Sequence, residues 1–117
     1  MNRMKPLLPS LKEKKRYVVF EVISETPVSE QDAYSAVETG LNGFIGLKGM
    51  AEAGLQFIRE RWDAKKQRGI ARIATNHTDN LKASFVFISS IGGKKVTVHS
   101  VGVSGTVDKA EKKYMYL

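Results

Sequence analysis

Apolar residues along the chain follow two periods. In "RYVVFEVIS" they are nearly continuous from Tyr17 to Ser24, rich in β-branched and aromatic types, which predicts a strand buried on both faces. Pro27 ends that run. Ser29 then offers a helix N-cap, with Asp32 three positions on as a weak capping box. Ala33, Val37, Leu41, Phe44 and Ile45 repeat at helical spacing and are expected to form one buried stripe. Gly40, Gly43, Gly46 and Gly49 recur every third residue through the same helix. Glycine is disfavoured in a helix interior, so a bend after Leu41 and an end near Gly46 or Gly49 are expected, offset by close backbone packing. "LQFIRERWD" (Leu55 to Asp63) and "GIARIAT" (Gly69 to Thr75) read as strands joined by the basic loop "AKKQR". Thr78 or Asp79 opens a second helix with the stripe Leu81, Phe85 and Ile88, broadened by Ala83, Val86 and Phe87, which Gly92-Gly93 are expected to end. A fourth strand covers Val96 to Val103, and a last helix starts at about Thr106, which caps it, with Val107, Ala110 and Tyr114 on its packed side and its lysines outward.

With right-handed crossovers, this order predicts an α+β fold, the split βαβ sandwich of ferredoxin-like or RRM-like type. It has a four-stranded antiparallel sheet, two packed helices and an extra C-terminal helix. Residues 1–14, with Pro6, Pro9 and little periodicity, read as a basic arm, and 15–117 as one domain. No run is long and apolar enough to span a membrane, and the first residues lack a signal-peptide block. A soluble, cytoplasmic protein is therefore expected.

Charge adds a partner class. The net +7 is uneven: +5 over residues 1–16, −5 over 17–63, +6 over 64–105 and +1 beyond. Such a distribution favours a polyanion, nucleic acid above all. Three clusters are candidate phosphate contacts: Lys12, Lys14, Lys15 and Arg16 in the arm; Lys65, Lys66 and Arg68 at the hairpin; Lys109, Lys112 and Lys113 in the tail.

Catalytic chemistry finds little support. There is no cysteine, and His77 and His99 are the only histidines, so a zinc site is not expected and no metal ligand is assigned. "GVSGT" is not a G-x-S-x-G elbow. No phosphate-binding or dinucleotide fingerprint occurs, and "SETPVSE" stands where an acylphosphatase would carry its arginine-bearing glycine loop. In the third strand, "RGIARIAT" holds Ile70, Arg72 and Thr75 at the three aromatic positions of an RRM. The sheet thus lacks the aromatics that stack bases.

Three segments carry a family resemblance: "LKEKKRYVVFEVIS", "RGIARI" and "VGVSGTVDKAEKKYMYL". In that order they resemble the protein component 2 family of archaeal ribonuclease P, along essentially the whole chain. The glycine-dense "GLNGFIGLKG" departs from the family pattern. The resemblance implies a non-catalytic subunit of an endoribonuclease whose RNA, using Mg²⁺, removes the 5′ leader of precursor tRNA. The protein itself binds no cofactor. It also implies a TIM-barrel-like protein partner in the same particle, for which Tyr17 and Trp62 are candidate anchors, while self-association stays open. Two other readings remain beside it: a ferredoxin-like module that binds a small metabolite, and a generic RNA chaperone.

Overall fold

The computed structural model describes residues 14–116; expectations for residues 1–13, Lys12 among them, lie outside the described residues. Strand β1 (Lys15–Ser24) lies at the centre of the sheet, as its continuous apolar run predicts. It pairs antiparallel with β3 (Arg68–Ala74) on one side and β5 (Lys94–Ser104) on the other. The alternation of side chains then divides the strand. Val18, Phe20 and Val22 face one layer, with Ala71, Ile73, Val96 and Val98. Val19 faces the other, with Ile70.

The first layer is built by two helices. Helix α1 (Glu30–Ala53) starts at Ser29, whose Oγ accepts from the Asp32 amide at 3.1 Å, and helix α2 (Thr78–Phe85) packs beside it. Ala33, Tyr34, Val37, Leu41, Leu81 and Phe85 meet the sheet with no appreciable exposure, whereas Phe44, expected in the buried stripe, is exposed and Ile45 only half-buried. Phe20 sits amid aromatic rings, its centroid 5.8 Å from Tyr34, 5.9 Å from Phe85 and 6.4 Å from Trp62. Each such pair contributes about 0.5–1.5 kcal/mol beyond the area it buries.

The glycine-dense part of α1 bends, but later than the sequence suggests. Only Gly46 leaves helical geometry (φ 77°, ψ 178°), after which the helix resumes and stops at Gly54 rather than near Gly46 or Gly49. A left-handed φ is open to glycine at little cost, so the break falls there.

The sheet has five strands instead of the expected four, with β2 (Gln56–Phe57) and β4 (Ser90–Ile91) at its edges in the order β2-β3-β1-β5-β4. The predicted strand Leu55–Asp63 shortens to β2 (Gln56–Phe57). The Ile58 amide still donates to the Ile70 carbonyl at 3.0 Å, but Arg59–Arg61 then form a 3₁₀ turn. That turn swings Trp62 onto Phe20 and Tyr34, and burial of a large ring outweighs continued edge pairing. The second helix likewise ends at Phe85: Val86 and Phe87 form a turn and stand exposed instead of broadening its stripe, and the chain then adds a further edge strand, β4 (Ser90–Ile91), on β5. Gly92 and Gly93, both at positive φ, close this hairpin and are not the stop of a helix.

Candidate nucleic-acid interface

The other face of the sheet carries the last helix. Helix α3 (Val107–Ala110) continues into a π turn, Glu111–Met115. Thr106 caps it, as the sequence leads one to expect, accepting from the Lys109 amide at 3.2 Å. Ala110 and Met115 are buried against Val19 and Ile70. These anchors are five residues apart, a spacing that the wider i→i+5 turn brings onto one side. Tyr114 lies over Gly102 of β5, and any side chain at position 102 would run into its ring. Lys109, Lys112 and Lys113 are left on the exposed side.

One ion pair and one hydrogen bond tie this helix to the β2–β3 hairpin. Arg61 pairs with Glu111, and Arg68 Nη1 donates to the Tyr114 carbonyl at 2.8 Å. Arg68 Nε lies 3.5 Å from Glu21 Oε2, and Glu21 Oε1 lies 2.7 Å from His99 Nε2. Arg68 therefore sits among protein acceptors with its side chain 12% exposed, unlike the open phosphate contact its charge suggests. Glu111 also accepts from the Tyr116 hydroxyl at 3.2 Å, and its charge raises the pKa of that phenol above the usual value.

The hairpin loop is shaped by Asp63, whose Oδ1 accepts from the Lys65 and Lys66 amides at 2.9 and 3.1 Å. Lys65 is exposed and Lys66 half-buried. At the start of β1, Lys14 is exposed while Lys15 and Arg16 are half-buried, with Arg16 reaching toward Gly105 just before the last helix. The structure thus joins the hairpin and tail clusters through Arg61 and Arg68, and sets Arg16 by the start of the same helix. Tyr17 packs, half-buried, with the cluster under that helix. Trp62 places its ring against the main core.

Sequence reading missed Glu21, Arg61, Gly102 and Glu111. Only the alternation of Arg68, Ile70 and Arg72 in "RGIARI" hinted at a shared face. Among the described residues, no group of three or more His, Asp or Glu side chains could hold a metal ion, and no helix is long and apolar enough to cross a membrane.

Known proteins resemble the chain along most of its length. A ribonuclease P protein component 2 from Thermococcus gammatolerans is 34% identical over 114 residues, 97% of this chain and 93% of that protein. Its namesake from Methanosarcina barkeri is 36% identical over 112 residues, 96% of this chain and 80% of that protein. A third, from Thermococcus kodakarensis, is 35% identical over 114 residues, 97% and 93% of the two chains. A chain in the cryo-EM structure of yeast ribonuclease MRP shares the fold at TM-score 0.60 and 14% identity, with 80% of this chain and 75% of that one covered. Residues 16–115 match the profile of the Rpp14/Pop5 family, and with relatives this similar along nearly the whole of the chain, it belongs to that family.

Proposed function

We infer that the chain is a protein subunit of a ribonuclease P-type ribonucleoprotein, which removes the 5′ leader from precursor tRNA in the cytoplasm. It binds and supports the catalytic RNA, while the chemistry and its Mg²⁺ belong to that RNA. One observation carries the reading beyond family membership: Arg61 and Arg68 hold the last helix on the sheet, so that Lys109, Lys112 and Lys113 stand outward beside the lysine-bearing hairpin. Phosphates meeting Lys65, Lys66, Lys109, Lys112 and Lys113 would release counterions, and Lys12, Lys14, Lys15 and Arg16 extend the surface. Arg68 serves mainly by placing the helix. Covering Val19 and Ile70 also closes the middle of the sheet face on which an RRM would stack bases, which supports backbone over base recognition.

The test is reconstitution. The chain, the RNA and a TIM-barrel-like partner subunit are combined, and 5′ leader release is measured across salt and Mg²⁺ concentrations. Stimulation over RNA alone is expected; its absence at every condition would overturn the reading.

A further inference from the structure

The last helix covers the middle of its sheet face and leaves one end of that face open. Side chains alternate along β1, so Val19, Glu21 and Ile23 share this face, and Ile23 pairs with Thr97 of β5. Val19 lies under the helix, whereas Ile23 is 53% exposed, with an exposed Thr97 beside it. Two grooves meet here. One, of about 570 Å³, runs from Ile23 to Lys94 and Lys95; the other, of about 330 Å³, runs from Ile23 to Lys65 and Lys66. Ile23, Ser24 and Glu25 line both, so the two form one surface, an apolar floor with a pair of lysines on either side. Against these four lysines stand Glu25 and Glu21, the latter already engaged by His99 and Arg68.

Both walls are fixed in place. Gln67 ends the hairpin loop at φ 55°, a left-handed conformation that glycine adopts at less cost. Its side chain gives the position another use: Oε1 accepts from the Val28 amide at 2.5 Å, and Nε2 donates to the Val22 carbonyl at 2.8 Å and to Ser24 Oγ at 3.1 Å. The hairpin that bears Lys65 and Lys66 is thereby locked to the end of β1. On the other side, Lys94 Nζ donates to the Pro27 carbonyl at 2.5 Å, and the exposed Lys95, two positions from Thr97, shares its face.

Charge and continuity select the occupant. Lys65 and Lys66 also belong to the phosphate-binding surface, so a polynucleotide held there runs on toward Ile23. A duplex keeps its base faces stacked and offers Ile23 nothing apolar. An unpaired nucleotide can lay a base face on an aliphatic floor and turn its edge to a hydroxyl. We propose that this open end of the sheet holds an unpaired nucleotide of RNA, its base on Ile23 and Thr97 and its flanking phosphates at Lys65 and Lys95. The proposal rests on the ribonucleoprotein reading above and adds to its phosphate surface a site that tells single strands from duplexes.

The probes are a single-stranded oligouridylate and a blunt RNA duplex of equal phosphate number, each titrated against the full chain across salt concentrations. Ile23→Ser should weaken the single strand three- to tenfold and leave the duplex within twofold. Its salt slope should not change, because an apolar contact releases no counterions. Lys95→Gln should lower the slope for the single strand by about 0.7. With 4-thiouridine in the single strand, irradiation should cross-link it to peptides that carry Ile23 or Thr97. Because Ile23 is exposed, the thermal melt of Ile23→Ser should match the parent; if it does not, Thr97→Asp, an exposed change beside it, supplies the same answer through a similar loss. Equal effects of these variants on both RNAs, no effect on either, cross-links only elsewhere in the chain, or an oligoglutamate of equal charge that Ile23→Ser weakens as much would each overturn the proposal. None of these arms measures leader release, so their failure stands apart from a failure of the reading above.

Discussion

The two faces of the sheet are held by different means. On the helical face, Phe20, Tyr34, Leu41 and Phe85 are buried in an apolar layer where shape and area supply the stability. On the opposite face a short helix covers Val19 and Ile70, with Tyr17, Ile58 and Val101 half-buried around them, and side-chain contacts with the hairpin, Arg61 to Glu111 and Arg68 to the Tyr114 carbonyl, complete the attachment. The first arrangement tolerates little change but is insensitive to salt. The second is weaker and depends on charge, and it is the one that carries the outward lysines. Cohesion and presentation are thus assigned to separate sides of one strand.

Substitutions should separate them. Phe20→Ala removes a ring from the aromatic cluster and should cost about 3–5 kcal/mol in denaturant unfolding, with the whole fold losing stability together. Gly102→Ala forces a methyl group into Tyr114. A cost of about 1–3 kcal/mol is expected, with the drop in amide protection confined to residues 107–116. Arg68→Gln removes a charged donor from a half-buried carbonyl and should cost about 1–2 kcal/mol, again local to the last helix by hydrogen exchange. RNA affinity should fall with it. Replacing Lys112 and Lys113 by Gln should leave stability within about 0.5 kcal/mol. It should also lower the slope of log affinity against log salt by about 0.7–0.9 for each phosphate that is no longer neutralised. If that slope stays unchanged, the tail lysines do not meet phosphate; if Arg68→Gln loosens the whole fold, the two faces are not separate.

Much of this was legible in the sequence where the cause is local. The run around Val18 to Val22, the Ser29 and Thr106 caps, and the outward tail lysines all follow from spacing within a few residues. The family itself was legible in three short segments. Missed features depend on distant residues. Leu55 to Asp63 reads as a strand until Trp62 finds Phe20, and Gly92-Gly93 read as a helix stop until β4 finds β5. Arg68 looks like a phosphate contact because nothing near it in sequence announces Tyr114, 46 positions away. Tyr17 and Trp62 stand out in the sequence as partner anchors by their size, yet both rest within clusters of the chain itself, and the exposed aromatics include Phe44 and Phe87 on the helical layer.

The last helix has one more consequence. Four α-helical residues followed by a five-residue π turn have too few internal hydrogen bonds to persist alone. Its order is borrowed from the sheet, so its lysines share a fixed spacing only while the chain is folded. Folding and polyanion binding are then thermodynamically linked. A ligand that engages those lysines only in the native state, at about a hundred times its dissociation constant, would add about 2.7 kcal/mol to stability. The melting temperature of the free chain and that of the assembled particle would then differ by an amount that reports how firmly the tail is held.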